Sequence, residues 1–313
     1  MRPILLLLIF ILSCSSTSSK NEPLGVSLND FEVGKAKPQI KNDSYGPEYT
    51  GVRQNQEVGE KEPIIALVLG PGLNRTLGYT YFLKSLTRNN IKITIISGSG
   101  MGAVVASHFA AGKSPEKIEW LFYKFLNEVK GKRAFSSTWI NELENKLLHD
   151  FKNASIQELD ITLVIPVFNK KKFKVTNLKR GSLYSSLRAQ FMFYHPKMKE
   201  NISTPLQWAV YNGKYLKKLG ADIVIGVDVL ADKIELEVED GFLYGYYGKM
   251  IRKIKKERKD LDHLFTLPFF DVPLDSEKNL PKNIQLMKHV SEEMVASIKD
   301  SIVDWKQRQA KLR

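Results

Sequence analysis

The run Ile93-Thr94-Ile95-Ile96-Ser97-Gly98-Ser99-Gly100-Met101-Gly102-Ala103 constrains this chain more than any other stretch. Apolar, largely β-branched residues come first and suit a short buried strand. A turn with glycine at every second position follows, and then a segment with helical character. This is the setting of a nucleophile elbow, where a sharp turn lifts one side chain to the top of a parallel sheet. The elbow spacing is G-x-S-x-G, and here it reads Gly98-Ser99-Gly100-Met101-Gly102. Both outer glycines are in place, but the central position, Gly100, carries no side chain. The turn is set up for a nucleophile and holds none.

Around that turn, strand-like and helix-like segments alternate, which predicts an α/β fold: a mainly parallel central sheet with helices on both faces. Ile64 to Leu69 reads as the first strand and Leu77 to Arg88 as the first helix. Ile91 to Ile96 reads as the second strand, and the helix after the elbow runs to Ala111, stopped by Gly112. Ser114-Pro115 supplies a serine N-cap and a proline at the first helical position of the next helix. Ile118, Leu121, Phe122, Phe125, Leu126 and Val129 then keep helical spacing. Trp139 to Phe151 forms another amphipathic helix, Ile161 to Phe168 and Ile223 to Val229 further strands, and Ile284 to Gln307 a last helix. Residues 63–313, about 250 in all, are enough for one α/β domain with a sizeable core.

Several segments match a known family in the right order. Gly98 to Ala103 carries its elbow, and Ala66-Leu67-Val68-Leu69-Gly70-Pro71-Gly72 fits its first strand and glycine-rich oxyanion loop. Leu83-Lys84-Ser85-Leu86, Leu187-Arg188-Ala189 and Leu219-Gly220-Ala221-Asp222-Ile223-Val224-Ile225-Gly226-Val227-Asp228-Val229 complete the set. On these motifs the chain resembles the patatin-like phospholipases over roughly Pro63 to Leu230, with residues 231–313 a looser, basic and helical continuation. The resemblance implies a patatin-like three-layer sandwich and places Gly100 on the nucleophile of a Ser–Asp dyad. It also identifies Gly70, Pro71 and Gly72 as the remnant of the oxyanion loop. The dyad aspartate is missing at the family's usual distance, near Thr204-Pro205-Leu206, and Asn212-Gly213 is the remnant of its turn if the connection is shortened. An asparagine amide is no base. Pro71 has no N–H to donate, and Gln190 stands where the family has serine. Loss of a serine nucleophile costs about a millionfold in kcat, roughly 8 kcal/mol.

The N-terminus points to an envelope protein. Met1-Arg2-Pro3 is a short positive start, and the apolar run Ile4 to Leu12 is far below the roughly 20 residues a bilayer span needs. It reads as a signal peptide over residues 1–13. Ile11-Leu12-Ser13-Cys14 resembles a bacterial lipobox, so Cys14, the only cysteine in the chain, is the predicted lipid attachment site. Ser15 after it implies the outer membrane. Residues 14–62 form the lipidated start and a polar tether, which as a coil would span about 40 Å. Of 47 basic residues only Arg2 is lost on cleavage, so 46 against 34 acidic leaves a net charge of +12. Such an excess suits anionic surfaces. Export and the lack of any nucleic-acid module exclude nucleic acid, leaving the membrane as the partner.

No cofactor is implied, and His108, His149, His195, His263 and His289 show no metal-binding spacing. Ser99 is the fallback nucleophile, although one residue's shift in so tight a turn aims it elsewhere. Its alternative role is a hydrogen bond within its own turn. Phe242 to Gly248, followed by the basic stretch Lys249 to Lys259, suits a membrane interface or else a packed aromatic turn beside a solvated helix. The leading expectation is an inactive lipoprotein that binds a lipid, an acyl chain or a protein partner in the former active-site cleft, lined by Gly98 to Gly102. The alternatives are a lipid acyl hydrolase with Ser99 as displaced nucleophile and a purely structural envelope lipoprotein.

Overall fold

The computed structural model describes residues 61–311 apart from 194, 232–233, 238, 270 and 277. The signal peptide, Cys14 and nearly all of the tether lie outside the described residues. Strand β1 (Ile65–Leu69) sits near the middle of the sheet, and all five of its residues are buried. Successive strand side chains point to opposite faces, so burial of all five means that helices cover both sides of the sheet.

Strands β2 (Ile95–Gly98), β3 (Thr162–Asn169), β4 (Lys174–Leu178), β6 (Ile223–Asp228) and β7 (His263–Thr266) complete the order β4-β3-β2-β1-β6-β7, and the short β5 (Ile202–Ser203) pairs with β3. All pairings between β1, β2, β3, β6 and β7 are parallel, while β4 and β5 run antiparallel to β3. Leu69 on β1 stands opposite Gly98 on β2. The loop after β1 and the elbow after β2 therefore emerge side by side.

The helices are α1 (Gly78–Arg88), α2 (Met101–Ala110), α3 (Pro115–Glu128), α4 (Ser137–Phe151), α5 (Leu183–Ala189), α6 (Gly213–Lys218), α7 (Gly241–Glu257) and α8 (Ile284–Lys311). Ser114 caps α3 by accepting from the Lys117 N–H at 3.3 Å, with Pro115 in the first turn. Ser136 caps α4 through Trp139 N–H in the same way, which starts that helix two residues earlier than the apolar pattern alone suggests. The second strand begins later than expected. Ile91 and Ile93 are buried, but register with β1 starts only at Ile95 opposite Ala66. The last helix runs to Lys311 instead of Gln307, since neither glycine nor proline interrupts it.

The aromatic stretch Phe242 to Gly248 is the first half of α7 and forms no separate turn. Asp240 caps that helix, accepting from the Phe242 and Leu243 N–H groups at 3.0 and 3.2 Å. Leu243, Tyr246, Tyr247, Met250 and Ile254 then supply a buried stripe that holds Gly245 and Gly248 in helix. Asp222 and Asp228 serve the backbone as hydrogen-bond acceptors: Asp222 from Ile64, Asp228 from Leu230 and Ala231.

Candidate functional site

The elbow is formed as its spacing predicts. Gly100 adopts φ 57° and ψ −133°, a conformation side chains rarely take and the one a nucleophile elbow imposes. The outer glycines are required by close backbone approach. A Cβ on Gly98 would lie 2.5 Å from the Gly102 carbonyl oxygen, and one on Gly102 would lie 2.3 Å from that of Gly70. The Ser99 N–H donates to the Leu69 carbonyl at 3.0 Å, binding the elbow to the end of β1.

What lies above the turn is closed. A Cβ on Gly100 would stand 3.2 Å from Pro71 Cβ and 3.5 Å from Leu206 Cδ1. The oxyanion loop has also lost two donors: Gly70 gives its N–H to the Val227 carbonyl at 3.1 Å, and Pro71 has none to give. Gln190 closes the other side. Its Oε1 accepts the Gly100 N–H at 3.1 Å and its Nε2 donates to the Pro166 carbonyl at 2.9 Å. Sequence reasoning marked Gln190 as a departure but did not foresee this clamp, which joins residues ninety positions apart in the chain.

Ser99 is fully buried, and its hydroxyl donates to the Val210 carbonyl at 2.8 Å. That bond reaches across the fold and is not the local turn bond expected. No carboxylate or imidazole stands within hydrogen-bond reach of Ser99 among the described residues, so nothing there can take its proton. Asn212, two residues beyond Val210, is the residue before α6 and donates from Nδ2 to Asn177 Oδ1 at 2.9 Å. It makes no bond to the elbow.

A second unforeseen residue holds the loop from beneath. Arg75 is fully buried and donates to the carbonyls of Val272 at 2.6 Å and Leu230 at 3.0 Å. Burial lowers its pKa to about 10, against the opposing pull of Glu235, Asp228 and Asp271. It fastens the segment after Gly72 to the loops that follow β6 and β7.

The expectation of an open cleft lined by Gly98 to Gly102 is corrected in one respect. All five are buried, and of them only Met101 borders a cavity beside the elbow. That cavity of about 590 Å³ lies among α2, α3 and α4. Its apolar wall includes Met101, Val104, Ile118, Phe122, Leu143 and Leu147. The rim carries cations: Lys117 lies 4.1 Å and Lys124 5.6 Å from the centre of the exposed Trp120 ring, and Lys113 lies 5.3 Å from that of Phe151. Lys146, by contrast, is paired with Glu128 at 2.7 Å.

His108 borders the same cavity. Its Nε2 is 3.4 Å from Asp150 Oδ2, and its buried Nδ1 has no hydrogen-bond partner among the described residues. Burial, aided by Lys113 and opposed by Asp150, lowers its pKa to about 4, so the ring is neutral at physiological pH. It is thus a packed residue of the post-elbow helix, as its place in the sequence suggested, with a carboxylate neighbour that the sequence did not reveal.

The family model for patatin-like phospholipase matches residues 67–219. Among solved structures the chain is similar to VipD from Legionella pneumophila, with 12% identity over 79% of this chain and 69% of that one and a TM-score of 0.47. It is also similar to ExoU from the type III secretion system of Pseudomonas aeruginosa, solved in complex with SpcU, with 13% identity, 80% of this chain covered and a TM-score of 0.37. The match spans about half of ExoU's length, 53%. The family match, residues 67–219, takes in the glycine-rich loop after β1, the elbow and the cavity beside it.

Proposed function

We propose that this protein is a catalytically silent, membrane-anchored patatin-like lipoprotein that holds the acyl chain of an anionic amphiphile beside its former active site. The observation that carries the reading is the elbow itself: its central residue is a glycine in the nucleophile's conformation, roofed by Pro71 and Leu206, with the neighbouring Ser99 hydroxyl committed to a carbonyl. Without a nucleophile or a base within reach, and with two donors of the oxyanion loop gone, the site has no route to acyl transfer. The cavity that begins at Met101 has the size and apolar lining of a ligand site. The cations at its rim, Lys113, Lys117 and Lys124, suit a carboxylate or phosphate head. Cys14 supplies the lipid anchor at the bacterial outer membrane, and the basic stretch Lys249 to Lys259 faces anionic headgroups.

A fluorescent long-chain fatty acid titrated into the full-length protein tests the ligand. Saturable binding, displaced by oleate and weakened about tenfold or more by Leu143→Trp with circular dichroism unchanged, is expected. Absence of saturable binding, or binding indifferent to the filled cavity, contradicts the proposal. A purely scaffolding lipoprotein is the second reading, and it is favoured by the closed roof over Gly100.

A further inference from the structure

The β3–β4 connection is a basic hairpin tip on the elbow side of the sheet. β3 runs parallel to β2 with Val164 opposite Ser97, and it continues five residues further, to Asn169. At about 3.3 Å per residue, its end reaches roughly 15 Å beyond the level of the elbow strand. The turn at that tip reads Lys170-Lys171-Lys172-Phe173-Lys174, four lysines around one phenylalanine and no acid.

Phe173 is the most exposed large apolar side chain among the described residues, at 66%. It stands at φ 45°, a left-handed position that a hairpin of this kind ordinarily gives to glycine or asparagine. The tip is nevertheless firmly built. The Asn169 side chain accepts the Lys172 N–H at 2.9 Å, and the Phe173 ring meets Phe168 edge-on at 5.3 Å. Phe168 in turn stacks on Trp208 at 3.6 Å. Lys170 gives its ammonium to the Met198 carbonyl, which brings exposed Lys197 and Lys199 beside the tip. Lys171, Lys172, Lys174, Lys197 and Lys199 make no ion pair with an acid among the described residues. Glu200, the nearest acid in sequence, is engaged with Arg188. The same segment leads back to Phe193, which packs against the exposed Phe242 of α7.

We propose that this hairpin tip is a docking element for an anionic phospholipid surface, with Phe173 entering the interface and the surrounding lysines on the headgroups. A solvated phenylalanine ringed by lysines suits a membrane interface, where ring and charges are satisfied at adjacent depths. An acidic protein would use the lysines but leave the aromatic tip without a role, and nucleic acid, whose bases could stack on the ring, is foreign to the envelope setting proposed above. The contact follows from the tethered state proposed above, and anchor and hairpin are read separately in its test.

The test uses the full-length chain carrying Phe173→Trp, mixed with vesicles of phosphatidylcholine with or without about a third phosphatidylglycerol, their acyl chains brominated. Pelleting of native protein against Cys14→Ser reports the anchor. The additional emission of the introduced indole, obtained by difference from native protein, reports the hairpin. A blue-shifted indole quenched by bromine on the anionic vesicles, lost with Lys171→Glu/Lys172→Glu/Lys174→Glu, supports the proposal. In the Cys14→Ser background those three changes are expected to weaken vesicle affinity roughly a hundredfold. An unshifted indole on protein that pellets, equal quenching on phosphatidylcholine alone, or the same shift with soluble heparin overturns it.

Discussion

Restoring the missing hydroxyl with Gly100→Ser separates what the elbow has lost from what it has kept. The new side chain must accept φ 57° and ψ −133°, a strained conformation costing on the order of 1–3 kcal/mol outside glycine. Its Cβ would also stand 3.2 Å from Pro71 Cβ, so the oxyanion loop must give by a few tenths of an ångström. That loop is held from below by Arg75 and cannot yield freely. Together these place the loss of stability at about 2–4 kcal/mol, or roughly 5–15 °C in Tm for a domain of this size. A differential scanning measurement gives that number directly. Hydrolysis of a short p-nitrophenyl ester by the same variant is expected to stay at background, because no base faces the turn among the described residues and the Gly70 and Gly100 N–H groups are already engaged. Turnover in Gly100→Ser at ordinary enzyme rates would refute the reasoning, since it would demand a working base and oxyanion hole beneath Pro71 and Leu206.

Three further outcomes follow from the same geometry. Ser99→Ala removes one buried hydrogen bond to Val210 and is expected to lower unfolding free energy by about 1 kcal/mol in denaturant titrations, with no activity to lose. Arg75→Met leaves the Val272, Val229 and Leu230 carbonyls without their donor and is expected to cost roughly 3–5 kcal/mol or to prevent folding, read as soluble yield and Tm. The His108 pKa of about 4 lies below the unfolded value near 6.5, so the unfolded chain takes up this proton first. Stability from this residue is therefore complete above about pH 6.5 and falls by up to about 3 kcal/mol as pH drops towards 4. A pH series of denaturation midpoints should show that fall, flattened in His108→Phe.

The backbone of the site was legible in the sequence because its constraints are local. Glycines at 98 and 102 are required by contacts within four residues or with the adjacent strand, and the apolar runs of β1 and β2 mark strands buried on both faces. Ser114-Pro115 announced a helix start for the same reason: cap and first turn are neighbours in the chain. The roof and clamp were not legible. Gln190 meets Gly100, Leu206 covers it and Val210 takes the Ser99 hydroxyl, and each contact is made across about ninety residues or more. Arg75 sat in plain view between Asn74 and Thr76, yet its three carbonyl partners lie more than 150 positions away. Phe173 ran against its own local preference, since nothing in a phenylalanine signals a left-handed turn position.

The central claim, an elbow that is intact in backbone and empty in chemistry, is tested most directly by a fluorophosphonate probe on the native full-length protein, read by peptide mass spectrometry. No adduct at Ser99 in the folded protein is the predicted result. An adduct at Ser99 that forms at enzyme-like rates and disappears on denaturation would contradict it, because it would require a base and an open approach at a hydroxyl placed against Val210.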